Sequence, residues 1–95
     1  MYLIMMESVQ SLWPKDPKER MKIMTPIMEM GKKDLDSGEL KMIGLGPDGQ
    51  NSFVISNQDL KTIYSRIQLQ LPYTKAEVIP MLSPDEVDEY MDIMK

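Results

Sequence analysis

The chain spells one unit twice: strand, helix, strand, then strand, helix, strand again. Apolar alternation opens it over residues 2–7, a helical stripe runs over 17–35, and a second strand follows at 39–45. The second unit is a strand at 52–56, a helix at 58–71 and a strand at 73–82. At 95 residues one domain with a modest core is all that fits. Right-handed crossovers turn this βαββαβ order into an α+β fold: a four-stranded antiparallel sheet, order 4-1-3-2, with both helices on one face. That is the ferredoxin-like arrangement.

Local signals support each element. Asp16, Pro17 and Glu19 form a helix start, and Gly38 after Asp36-Ser37 a stop. Met21, Met24, Ile27, Met28 and Leu35 supply the expected buried stripe. Pro26 deletes one helical hydrogen bond, so a kink is expected there. Gly46-Pro47-Asp48-Gly49 is turn chemistry between hairpin strands. In the second helix Ser56 or Asn57 is the expected cap, and Leu60, Ile63, Tyr64, Ile67 and Leu71 the stripe. Ser83-Pro84-Asp85-Glu86 is a capping box that opens a C-terminal helix within 83–95, striped by Val87, Tyr90, Met91 and Met94.

The first strand is apolar on both faces, with Tyr2, Ile4 and Met6 on one and Leu3 and Met5 on the other. A strand of that kind is central and covered on both sides. Two helices cover only one sheet face, so the other is expected to meet a second copy. A homodimer, or a higher homo-oligomer through the sheet face, is the partner reading. The terminal helix could also cross the open face or clasp a neighbour.

Composition narrows the chemistry. Eleven basic and fifteen acidic residues give a net charge of −4, without the concentrated basic face of a nucleic-acid binder. Lys15, Lys18, Arg20 and Lys22 are interrupted by Asp16 and Glu19 and read as a solvated helix face. Cysteine and histidine are both absent, which removes disulfides, thiolate sites, the usual zinc sets and a histidine base. No cofactor and no metal are expected. The eleven methionines read as adaptable gap-fillers. The spacing Gly44-x-Gly46-x-x-Gly49 falls in a hairpin, where no helix N-terminus awaits a phosphate. No apolar run is long enough for a membrane span, and a cytoplasmic location is expected.

One corner gathers polar groups. Glu7, near the end of the first strand, should approach Tyr73 and Lys75 at the start of the fourth, with Glu77 further along the same face. Leu12 and Trp13 follow closely enough to roof such a pocket, and shielding of that kind raises a carboxylate toward general-base range. Tyr73 could donate to a developing oxyanion and Lys75 attract an acidic substrate. The competing reading makes Glu7, Lys75 and Glu77 cross-strand charge pairs and Trp13 a loop anchor.

Tyr2-Leu3, Met6-Glu7 and Pro72-Tyr73-x-x-x-Glu77-Val78-x-Pro80 resemble muconolactone isomerase and its small relatives, of the dimeric α+β barrel superfamily. The matched residues lie in the first and fourth strands. The resemblance implies sheet-paired subunits and a cofactor-free proton shift across an unsaturated lactone, with Glu7 as the base. Three functions therefore stand beside one another. They are a dimeric barrel binding a small acidic or aromatic metabolite, a cofactor-free isomerase or monooxygenase-like enzyme, and a structural or regulatory module that binds a partner protein.

Overall fold

A computed structural model describes residues 1–94. Strand β1 (Tyr2–Ser8) leads through a 3-10 turn at Gln10–Leu12 into helix α1 (Pro17–Asp36). Strands β2 (Leu40–Leu45) and β3 (Asn51–Ser56) form a hairpin, followed by helix α2 (Leu60–Gln68), strand β4 (Thr74–Pro80) and helix α3 (Pro84–Met94). The antiparallel sheet has the order β2-β3-β1-β4, which is β4-β1-β3-β2 from the opposite edge.

Register sorts the side chains into two faces. Ile4 lies between Val54 and Val78, and Met6 between Ser52 and Ala76; these residues look toward the helices. Leu3 lies between Ile55 and Ile79, and Met5 between Phe53 and Glu77, on the open face. A bulge at Lys41 advances β2 by one residue, so Leu40 is buried with the helix-side set while Met42 joins the open face. The open face is thus apolar at its centre. Phe53 lies across Gly44, where a Cβ would collide with the ring. Gly44→Ala should force the ring aside and lower stability by about 1–2 kcal/mol, read as a shifted urea midpoint with an unchanged slope; an unshifted midpoint would show that the ring moves freely.

Helix α1 starts as its sequence dictates, with Asp16 accepting from the Lys18 N–H at 3.1 Å and Pro17 at the first position. It continues through Pro26 as one element. Pro26 is exposed, so the carbonyl it leaves unpaired can bond water. The face turned to the sheet is Ile23, Ile27, Met30 and Asp34, not the expected methionine stripe. Met21, Met24, Met28 and Leu35 are exposed. In α2, Asp59 rather than Ser56 or Asn57 is the cap, accepting from the Thr62 N–H at 2.8 Å. Its inward face is Ile63, Arg66 and Ile67, whereas Leu60, Tyr64 and Leu71 are exposed. The Ser83–Glu86 capping box forms as its spacing predicts. Burial is sparse: Ile4, Leu40 and Ile63 are the fully buried apolar residues among those described.

Candidate functional site

The main contacts between elements are the strand pairs and α1 against β2, without a comparable α1–α2 interface. One ion pair bridges the two helices. Arg66 on α2 donates from Nε and Nη2 to the two carboxylate oxygens of Asp34 on α1, at 2.9 and 3.3 Å. A cavity of about 380 Å³ lies between the helices and the sheet.

The cavity floor is Ile4, Met6 and Val54, its walls include Ile27 and Leu35 of α1 and Ile63 and Ile67 of α2, and Arg66 and Asp34 border it. The polar end is a built network. Asp34 is 3% exposed and also accepts from Gln58 Nε2 at 3.0 Å, while Gln58 Nε2 lies 3.0 Å from Glu39 Oε2. The Ser56 hydroxyl donates to Gln58 Oε1 and accepts from the Gln58 N–H. Burial works to raise the Asp34 carboxyl, but hydrogen bonds from Arg66 and Gln58 and the charges of Arg66 and Lys33 outweigh it. The carboxyl is held below the usual range. No buried side-chain polar atom among the described residues lacks a partner.

This is not the corner to which the sequence pointed. Glu7 does pair in register with Lys75, and Met5 with Glu77, so Glu7, Lys75 and Glu77 share a recess on the open face. All three are exposed. Trp13 does not roof them. Its Nε1 donates to Ser8 Oγ at 3.1 Å, and Ser8 points to the opposite face from Glu7 because successive strand residues alternate.

Tyr73 precedes β4 and packs on Trp13, ring centroids 4.9 Å apart, with the Arg20 guanidinium 5.9 Å from the Trp13 ring. The two aromatics therefore clamp the β1–α1 connection to the sheet end, as the loop-anchor reading had it. Tyr73 lies in the turn that precedes β4, outside the alternation that carries Lys75 and Glu77.

The residues that border the cavity were hidden by one rotation of the helical wheel. Asp34 was masked by the methionine stripe and Arg66 by the choice of Tyr64. The available signal was an acid on one inner helix stripe facing a base on the other. Among the described residues no cluster of histidine, cysteine or acidic groups could hold a metal ion, and no helix is long and apolar enough to cross a membrane. Comparison with protein-family models, with curated proteins and with solved structures finds no match to this chain.

Proposed function

We propose that this protein binds a small apolar acid between its helices and its sheet. The observation that carries this reading is the cavity: about 380 Å³, lined mainly by aliphatic and methionine side chains, with Asp34, Gln58 and Arg66 among its few polar groups. That size is at the small end of ligand sites, which combine apolar walls with a few fixed polar groups. The charged residues on its lining are Lys32, Arg66 and Asp34. Asp34 is already committed to Arg66 and Gln58, so the balance favours an anionic head with an apolar body. Arg66 gives two of its five N–H donors to Asp34, so the pair does not exhaust what the guanidinium can donate to an anion.

The test is a thermal-shift series of straight-chain and aromatic carboxylic acids, each beside its matching alcohol. A guest at a hundred times its dissociation constant stabilises by about 2.7 kcal/mol, a rise on the order of 10 °C for a domain of this size. Ile27→Trp, whose indole takes up part of the space, should keep the fold and reduce the shift. A shift unchanged in that variant, or a series without any shift, would sink the proposal.

The sheet supplies a second element. The open face, with Leu3 and Met5 on β1 beside Ile55 and Phe53 on β3, supports pairing with another copy as a dimeric α+β barrel. The resemblance to muconolactone isomerase, with Glu7 as its base, stays a subordinate proposal. In the single subunit Glu7 is exposed and faces away from the cavity, so that chemistry would need the second copy to enclose it.

A further inference from the structure

Helix α3 is well made and badly placed. Its capping box is closed in both directions, Ser83 N–H to Glu86 Oε1 at 3.1 Å and Glu86 N–H to Ser83 Oγ at 3.3 Å. It spans 11 residues, and every described residue of it is exposed. Val87, Tyr90, Met91 and Met94 recur at helical spacing and are 42%, 50%, 53% and 67% exposed. Helices of this length are marginal in water without a packing face, and α3 has no substantial interface with the rest of its chain.

Size and shape give the same answer. The subunit exposes 7093 Å², whereas a folded monomer of this mass should expose about 5,600 Å². Its radius of gyration is 15.5 Å, against about 12 Å for a compact domain of this length. The excess, roughly 1,500 Å², is what one subunit contributes to an obligate homodimer. Charge then separates two ways of placing the arm. Residues 1–83 hold ten acidic and ten basic side chains, and residues 84–95 five acidic and one basic, so the whole net charge of −4 sits on the arm. Two such arms laid on each other would repel.

We infer that α3 is an exchanged arm, which lays its Val87–Tyr90–Met91–Met94 stripe on the body of a second copy. This draws on the pairing proposed above only in requiring that second copy. Full-length Tyr90→Ala/Met91→Ala, which keeps good helix formers on the arm, should raise the dimer dissociation constant at least tenfold in sedimentation velocity. A wild-type chain that stays monomeric at tens of micromolar would overturn the arm and the sheet pairing together. A dimer that Met5→Lys weakens but the double variant does not would overturn the arm alone. Because the chain has no cysteine, Met91→Cys gives one further reading. Rapid, complete disulfide dimerisation under mild oxidation would place arm on arm and overturn the inference; slow or absent cross-linking in an intact dimer supports it.

Discussion

Asp34→Ala should melt at least about 10 °C below the wild type. The carboxylate is buried and takes three hydrogen bonds from Arg66 and Gln58. Its removal strands a guanidinium and an amide beside an apolar cavity. Breaking a buried pair by deleting one partner costs about 3–5 kcal/mol, and the lower figure applies because the Arg66 side chain is 33% exposed and water can reach it. About 3 kcal/mol corresponds to more than 10 °C in a domain of this size.

The pH dependence has a definite sign. The folded carboxyl is held below its unfolded value, so its contribution is complete above about pH 4. It drains away as the pH falls through the lower folded value. Asp34→Asn should therefore lose stability at neutral pH and show a flatter acid limb than the wild type. Calorimetry between pH 2 and about pH 7 checks both. An Asp34→Ala melt within a few degrees of the wild type would mean that the ion pair does not join the helices.

Met5→Lys should weaken self-association about a hundredfold while leaving the isolated subunit folded. Met5 is half exposed at the centre of the open face, opposite Phe53 on one side and Glu77 on the other. In a single subunit a lysine there gains an oppositely charged cross-strand neighbour, which is neutral or mildly favourable. Between two stacked sheets the same ammonium must lose water, a penalty of several kcal/mol partly recovered from Glu77. A net loss on the order of 3 kcal/mol is a hundredfold in dissociation constant. Sedimentation velocity across a dilution series measures it. An unchanged constant would place any interface elsewhere.

The strands were legible because register and alternation are the same fact: once β1 is apolar on both sides, its neighbours and both faces follow. The caps at Asp16 and Ser83 were equally plain, since their partners lie two or three residues away. The helices were harder. Apolar residues of α1 spread over a wide arc, from Met21, Met24 and Met28 to Ile23, Ile27 and Met30, so hydrophobicity alone could not say which side met the sheet. The answer lay in Asp34, whose partner is 32 residues distant. The site was displaced for a similar reason. Tyr73 belongs to the turn before β4 rather than to the strand, and its ring packs on Trp13; strand alternation therefore does not govern its direction, and the turn residues around Pro72 could not specify it.

Arg66 and Asp34 border the space between the helices and the sheet. Under the proposed function, a guest there would make the protein's persistence conditional. Where the guest is scarce, more molecules would sample open states that proteases can attack; where it is plentiful, the same gene product would last longer. Abundance in the cell would then follow supply of the bound compound, without any dedicated sensor.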